Sequence, residues 1–196
     1  MKATEVLVRL AQPGDWAVVR DVRLAALADA PDAFASTLPR EAGQGEAQWR
    51  SRIAAGPWFL AWPPGHAGAA SHAGAASQDG PAGHDGQPAG LAAMFPEQSG
   101  PAAPPPDWHL VSMWVRPGAR GAGVADRLVA AVMAHASAAG AARVTLWVTI
   151  GNDRARAFYQ RMGFVPTGRR QMYPRAGTTD LDEEEFACSV DGAEKP

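Results

Sequence analysis

The chain has few of the residues that indicate an oxidising or membrane-bound setting. Cys188 is its only cysteine, so an internal disulfide cannot form. Residues 1–10 lack the charged and then apolar pattern of a secretory leader. The longest apolar stretch, 124–142, is rich in alanine and is interrupted by Asp126 and Arg127, which makes it a poor membrane span. These observations predict a cytoplasmic protein.

The chain also lacks an excess of charge of either sign. Its formal net charge is -2 and its pI is about 6.2. A protein with no broad basic field is a poor direct partner for nucleic acid or for an anionic membrane, and we expect neither. With 196 residues, the chain is long enough for one α/β domain and too short for two of ordinary size. We therefore expect a single domain over residues 1–196.

Apolar residues are scarce between 65 and 88, where the sequence is almost wholly Gly, Ala, Ser, His, Gln, Asp and Pro. Such a composition cannot bury enough apolar surface to offset its ordering entropy, which predicts a disordered insertion between two hairpin strands. The segment carries three histidines, His66, His72 and His84. Because no cysteine or carboxylate stands at ligand spacing beside them, we expect no metal site.

The most informative stretch of the chain runs from His109 to Asp126. It reads as a buried strand over 110–115, a Pro-Gly break, an arginine with two spaced glycines, and the start of an apolar helix. A glycine-rich turn that opens a helix exposes backbone N–H groups at the positive end of the helix dipole. The pattern therefore predicts an anion site, with a phosphate as its ligand.

The spacing of the glycines narrows the choice of phosphate ligand. The dinucleotide-binding fingerprint needs a third glycine where this chain has Asp126, and a P-loop needs a lysine that the chain does not have there, since its only lysines are Lys2 and Lys195. What remains is Arg120-x-x-Gly123-x-Ala125. This pattern resembles the acyl-CoA pyrophosphate loop of the GCN5-related N-acetyltransferase (GNAT) family.

A second motif extends the resemblance. The sequence Asn152-Asp153-x-Ala155-x-x-Phe158-Tyr159-x-x-x-Gly163-Phe164 follows one helix-length and one strand-length after the loop, where the family places its second cofactor-contacting helix. The alternative interpretation is an ordinary glycine turn followed by core aromatic residues at helical spacing. The two motifs together, in the family's order, favour the family.

The resemblance implies an α/β (α+β) fold, with a mixed, twisted sheet of six to seven strands flanked by helices. In this fold the fourth strand bulges and splays from the fifth, so that the pantetheine arm of the cofactor inserts between them. Hydrophobic periodicity in the chain predicts strands at 6–10, 58–62, 90–95, 110–115, 143–149, 164–168 and 183–190, the last at a sheet edge. It predicts helices at 15–30, 46–55, 124–139 and 154–162.

The resemblance also implies acetyl-CoA as the cofactor. The residues implied to bind it are Met113, Trp114, Val115, Arg120, Gly121, Ala122, Gly123, Val124, Ala125 and Asn152. The backbone of Met113 and Val115 would bond the pantetheine arm, and Asn152 would bond a pantetheine amide. The N–H groups of 121–125 would hold the pyrophosphate, with Arg120 adding positive charge.

Tyr159 is the implied catalytic residue, which would give a proton to the departing sulfur. Phe158 and Tyr159 are adjacent on a helix and project about 100° apart, so only one can lie squarely in the core. We expect Phe158 to be that residue and the Tyr159 hydroxyl to be free.

Two further groups of residues complete the expected site. Candidates for contact with the acceptor, for which core packing or a solvated loop is the alternative, are Phe34, Thr37, Glu41 and Trp49. Candidates for the general base are His109, Asp107, Glu97 and Glu41, each of which could act through water. Asp126 departs from the family pattern, and we expect it to face solvent in the first turn of its helix.

The sequence thus predicts an acetyl-CoA-dependent N-acetyltransferase that acts by direct transfer to a primary amine of a small molecule or protein. The alternative is a non-catalytic acyl-CoA-binding or sensor domain. Tyr159 favours the enzyme, because a binding module has no need of a proton donor at sulfur. The identity of the amine is not encoded in these motifs, and a homodimer stays open.

Overall fold

The computed structural model describes residues 5–63, 86–97, 107–172 and 182–190. Its seven strands form one sheet in the order β1-β2-β3-β4-β5-β7-β6. They are β1 (Leu7–Leu10), β2 (Trp58–Trp62), β3 (Gly90–Pro96), β4 (Trp108–Val115), β5 (Arg143–Thr149), β6 (Val165–Met172) and β7 (Asp182–Ser189). The helices are α1 (Trp16–Asp29), α2 (Leu38–Ala42), α3 (Glu46–Ala55), α4 (Val124–Ala138) and α5 (Asp153–Arg161).

The sheet separates two apolar cores. Strand β2, with the sequence WFLAW, is buried along its whole length because it contributes to both. Trp58, Leu60 and Trp62 pack on the side covered by α1 and α3, together with Trp49. Phe59 and Ala61 pack on the opposite side, which α4 and α5 cover. A strand buried on both faces reads as a continuous apolar run, as this one does.

Strands β4 and β5 are the parallel pair of the sheet, as expected for two strands joined through α4. They pair only at their first residues, Trp108 with Val144 and His109 with Thr145. Beyond these two pairs no further pairing of β4 with β5 occurs among the described residues. The predicted splay between the fourth and fifth strands is confirmed.

A bulge in β4 accompanies this splay. On the β3 side, Leu91 pairs with Trp114 and Ala93 with Val111, so β4 carries one residue more than β3 between these pairs. Ser112 lies in this interval with a φ of 58°, the one non-glycine residue with positive φ in the described segments. A bulge bends its strand and disrupts pairing locally. Here it lies where β4 has parted from β5.

The structure confirms the predicted mixed sheet and corrects two details. Strand β7 is internal and not an edge strand, because it pairs with β5 along its length and with β6 on its other side. The short helix α2 was not predicted. It is capped by Thr37, whose hydroxyl accepts the N–H of Arg40 at 3.4 Å.

The predicted insertion at 65–88 lies outside the described residues up to 85. At its end, the carbonyl of Gly86 accepts a hydrogen bond of 3.1 Å from the Trp62 indole, and Pro88 is buried. His66, His72 and His84 fall outside the described residues. Within the described segments no helix is long and apolar enough to cross a membrane.

Candidate active site

The glycine-rich turn lies between β4 and α4. A short 3-10 turn over Pro117–Ala119 leads to Arg120, and the chain then passes through Gly121 and Gly123 with φ of 86° and 78°. A Cβ built on either glycine meets no atom within 4 Å. Glycine is therefore favoured at both positions by backbone conformation and not by crowding within the chain. Gly123 immediately precedes α4, whose first N–H groups have no partner within the helix.

A groove of about 760 Å³ is bounded by this turn, the end of β4 and the start of α5. Its lining includes every residue predicted to bind the cofactor except Ala122, which lies in the turn but outside the lining. The N–H of Arg116 donates to the carbonyl of Ala89, the residue before β3, at 2.8 Å. Because successive residues of a strand alternate in direction, the backbone of its neighbour Val115 faces the gap between β4 and β5. The groove thus meets the N–H groups of the turn and one edge of β4.

Arg120 lines the groove but does not carry a free charge. Its guanidinium forms an ion pair with Asp29 at the end of α1, and its Nε donates to the carbonyl of Val115 at 3.0 Å. Asp29 also accepts the indole N–H of Trp114 at 2.9 Å. These bonds, from Trp114 first and from Arg120, hold the pKa of Asp29 below its usual value. Arg120 therefore ties the turn to β4 and α1, a role that the sequence did not indicate.

Two other charged residues of the groove also differ from expectation. Asp126 does not simply face solvent, since its carboxylate pairs with Arg161 of α5 at 2.5 Å, and this hydrogen bond lowers its pKa. The pair offsets the negative charge beside the turn. Arg154, in the first turn of α5, lines the groove and has no ion pair among the described residues. It is the cation that motif reading missed, although it directly follows the Asn152-Asp153 pair.

Asn152 has a structural role as well as a place in the groove. Its side-chain oxygen accepts the N–H of Ala155 at 3.1 Å and so caps α5. The amide nitrogen of the same side chain makes no hydrogen bond within the described segments. One side chain can thus cap the helix and offer a donor to the groove.

Tyr159, and not Phe158, is the more buried of the two adjacent aromatic residues. Tyr159 is 9% exposed, whereas Phe158 is half-buried. The expected arrangement is therefore wrong, because the face of α5 that packs on the sheet is centred on Tyr159. Its ring packs edge-on against Phe158 and Phe164, with centroids 5.1 and 5.7 Å away. Burial raises the pKa of its hydroxyl, so Tyr159 keeps its proton at neutral pH.

A second cavity, of about 720 Å³, opens on the other side of the splayed strands. Its walls come from α1–α3 and from the β4, β5, β6 and β7 strands of the sheet. The charged and aromatic residues among its lining are Arg23, Phe34, Arg40, Glu41, Arg52, His109, Trp147, Tyr159 and Glu183. Met113 and Tyr159 line both this cavity and the groove. The two spaces therefore meet at these two residues, where β4 and β5 separate.

Of the predicted acceptor contacts, Phe34 and Glu41 line this cavity. Trp49 does not, because it is fully buried in the core between α3 and the sheet. Thr37 is the cap of α2 and also lies outside the lining. For Trp49 the alternative of core packing fits the structure, whereas Thr37 has a capping role that the sequence did not indicate.

Of the four candidates for the general base, Glu41 and His109 line the cavity, and Asp107 and Glu97 do not. Burial would raise the pKa of Glu41, but hydrogen bonds from Arg23 and Arg52 outweigh it and lower the pKa to about 2. Such a carboxylate does not take protons near neutral pH. Asp107 pairs with Arg143 at 2.5 Å, and neither it nor Glu97 lines the cavity. His109 does line the cavity, with its Nδ1 2.8 Å from the Thr145 hydroxyl, and burial lowers its pKa.

Glu183, at the start of β7, is a further acid of this cavity that the sequence did not single out. It is buried, and its carboxylate accepts a hydrogen bond of 2.9 Å from Gln171. Burial raises its pKa. The four consecutive acidic residues that begin β7 are visible in the sequence, but nothing in the sequence indicates which of them faces a cavity.

Comparison with known proteins identifies the same family as the two sequence motifs. The model of the acetyltransferase (GNAT) family matches residues 46–164. No curated protein matches the chain. Similar solved structures include a GNAT-family acetyltransferase from Streptococcus pneumoniae, at 18% identity and a TM-score of 0.66 over 94% of this chain and 99% of that one.

Two further similar structures contain acetyl-CoA. The protein yncA from Salmonella typhimurium is 16% identical with a TM-score of 0.68, over 98% of each chain. NAA60 from Arabidopsis thaliana is 15% identical with a TM-score of 0.63, over 96% of this chain and 100% of its own. At these identities the likeness shows a shared fold.

Proposed function

The chain belongs to the GNAT acetyltransferase family, and from that premise we propose that it is an acetyl-CoA-dependent N-acetyltransferase that acts on a primary amine by direct transfer in a ternary complex. The observation that carries the proposal is the meeting of the groove and the second cavity at Met113 and Tyr159. A cofactor in the groove and an amine in the cavity would touch only there.

The groove suits acetyl-CoA in shape and in chemistry. N–H groups of the turn and of the first turn of α4 bind the pyrophosphate, aided by the helix dipole. Arg154 adds the unpaired positive charge that we had assigned to Arg120. The pantetheine arm lies along β4, where the N–H of Val115 faces the gap, and the Asn152 amide donates to it. Two proteins of the same fold that contain acetyl-CoA support this choice of cofactor.

Acetyl-CoA supplies the acetyl group as a thioester. The amine nitrogen forms a bond to the carbonyl carbon while the carbon–sulfur bond breaks, and Tyr159 gives its proton to the sulfur. Its burial among aromatic rings keeps the hydroxyl protonated until then. N–H groups on the gap side of β4 stabilise the negative charge that develops on the carbonyl oxygen.

Glu183 takes the proton from the amine, through water where the distance requires it. Burial raises its pKa above that of an ordinary glutamate, which makes it a better proton acceptor, and it lines the second cavity and not the groove. Solvent then restores the protonation states of both residues. His109, whose pKa burial lowers, is the second residue of this cavity that could serve as the base.

The second cavity favours an enzyme over a non-catalytic acyl-CoA sensor, because binding the cofactor needs only the groove. The cytoplasmic location, the lack of nucleic-acid and membrane partners and the open question of a homodimer stay predictions from the sequence. Light scattering on the purified chain would test the last.

The direct test measures release of free thiol from acetyl-CoA in the presence of a panel of primary amines, with the acetylated product identified by mass spectrometry. We expect turnover with at least one class of amine. Tight binding of acetyl-CoA with no turnover for any amine would contradict the enzyme and support the sensor.

A further inference from the structure

The wall of the second cavity that α1–α3 provide carries more positive than negative charge. Arg23, Arg40 and Arg52 stand there against a single carboxylate, Glu41. Glu41 is 2% exposed and binds two of them, with bonds of 2.9 and 3.1 Å from Arg23 and 2.8 Å from Arg52. One carboxylate cannot balance three guanidinium groups, so this wall keeps a net positive charge.

Arg40 is the member of this group that is available to a ligand. It lies on α2, is exposed, and forms no ion pair or side-chain hydrogen bond among the described residues. Arg52 is half-buried and also bonds the side-chain oxygen of Gln44 at 3.0 Å. Arg40 therefore lines the cavity with a charge that has no partner among the described residues.

Arg23, which is buried inside the same wall, also favours an anionic ligand. It is only 4% exposed and stacks over Phe34, with its guanidinium carbon 4.5 Å from the ring centroid. Its Nη1 is buried and has no hydrogen-bond partner in the described segments. A buried donor without an acceptor is costly, and guanidinium groups pair best with carboxylates.

The opposite wall of the cavity, which the sheet forms, carries negative charge. Glu183 contributes a buried carboxylate there, His109 and Trp147 line the same wall, and no arginine of the described strands lines the cavity. The cavity therefore has a positive side at α1–α3 and an acidic side at the sheet. Its volume of about 720 Å³ is in the range of small-molecule sites.

We propose that the acceptor is a small amine that also carries a carboxylate, of the amino-acid class. Its carboxylate binds Arg40 at the positive wall, and its amine lies toward Glu183 and the junction at Tyr159. This inference rests on the proposed acetyltransferase function and specifies its substrate. Polyamines and other purely cationic amines fit poorly, because they would place a second positive charge against Arg40.

The first experiment compares matched acceptors. Free amino acids are assayed beside their amides and their decarboxylated amines, for example phenylalanine with phenylalaninamide and phenethylamine, by thiol release at saturating acetyl-CoA. Polyamines and short peptides complete the panel. The best acceptor should carry a carboxylate and exceed its amide at least tenfold in kcat/KM, about 1.4 kcal/mol in transition-state stabilisation.

The second experiment uses variants of Arg40. Arg40→Gln should raise KM for the carboxylate acceptor about tenfold with little change in kcat, and should leave the amide within about twofold, because it removes a binding contact remote from the reacting atoms. Arg40→Lys should restore part of the loss. Arg20→Gln is the matched control, since Arg20 is an arginine of α1 that pairs with Asp21 outside the cavity.

The outcomes separate this inference from the proposed function. A preference for amides, polyamines or peptides, with turnover intact, would overturn the amino-acid class and leave the acetyltransferase standing. An equal effect of Arg40→Gln on the acid and its amide would also overturn it. No turnover with any amine, despite binding of acetyl-CoA, would instead refute the proposed function on which the inference depends.

Discussion

Replacing Tyr159 with phenylalanine tests the chemistry of the junction most directly. The variant keeps the ring that packs against Phe158 and Phe164 and removes only the hydroxyl. The described structure shows no side-chain hydrogen bond from this hydroxyl, so no buried partner is orphaned. We therefore expect the free energy of unfolding to change by less than about 1 kcal/mol. Any loss of rate then reports on proton transfer and not on packing.

The size of the expected loss follows from the leaving group. A thiol titrates at about 8.5, so its thiolate already leaves fairly well without a proton. General acid catalysis contributes about 100- to 10,000-fold in favourable cases, and we expect the low end or below it, a fall in kcat of about ten- to a hundredfold. This corresponds to about 1.4 to 2.7 kcal/mol of transition-state free energy.

The assay is thiol release at saturating acetyl-CoA and acceptor, with binding of acetyl-CoA measured separately by calorimetry. Because burial raises the pKa of Tyr159, the wild-type rate should not fall on the alkaline side up to about pH 9 through loss of this proton. Phe158→Leu is the control, since it alters packing on the same helix and keeps the hydroxyl. Full kcat in Tyr159→Phe would refute the acid role and leave Tyr159 as a packing residue.

Three further predictions concern the groove, the base and the insertion. Gly123→Asp should weaken acetyl-CoA binding at least about tenfold in calorimetry, because it adds a carboxylate beside the pyrophosphate site. The control is Gly118→Asp, which adds the same charge outside the groove lining. Equal affinities in the two variants would show that the turn does not bind the cofactor. Glu183→Gln should lower kcat by about a hundredfold. It should also abolish the fall in rate that the wild type shows at low pH, where the carboxylate of Glu183, with its raised pKa, becomes protonated. A larger loss of kcat in His109→Gln would assign the base role to His109. Replacing 64–85 with a short turn should change the free energy of unfolding by only about 1–2 kcal/mol, since loop-closure entropy varies slowly with length and Ala61 already pairs with Gly90. A larger fall in melting temperature would show that the segment supports the fold, and a loss of turnover would show that it supports the site.

Local sequence determined the elements that depend on near neighbours. The turn at 120–125 could be recognised because two glycines with positive φ and a following apolar helix are features of consecutive residues. The helical spacing of the apolar residues in α4 and the continuous apolar run WFLAW of β2, which is buried on both faces, are also features of short segments. From these elements the order of strands and helices, and the parallel pairing of β4 with β5, follow by simple connection rules.

Tertiary structure alone decided which charges are free and which are paired. Arg120 and Asp29 are 91 positions apart, and Asp126 and Arg161 are 35 apart. No local pattern brings them together. The sequence therefore assigned a free charge to Arg120, whereas the fold leaves that role to Arg154.

The same reason explains the site residues that were misplaced or missed. Whether Tyr159 or Phe158 enters the core depends on the rotation of α5 against the sheet, and that is set by packing with Phe164 and strands far along the chain. Glu183 lines the second cavity because β7 inserts between β5 and β6, a sheet order that strand patterns do not reveal. Sequence determined the segments and their chemistry, and the packing of distant segments decided the geometry in which that chemistry operates.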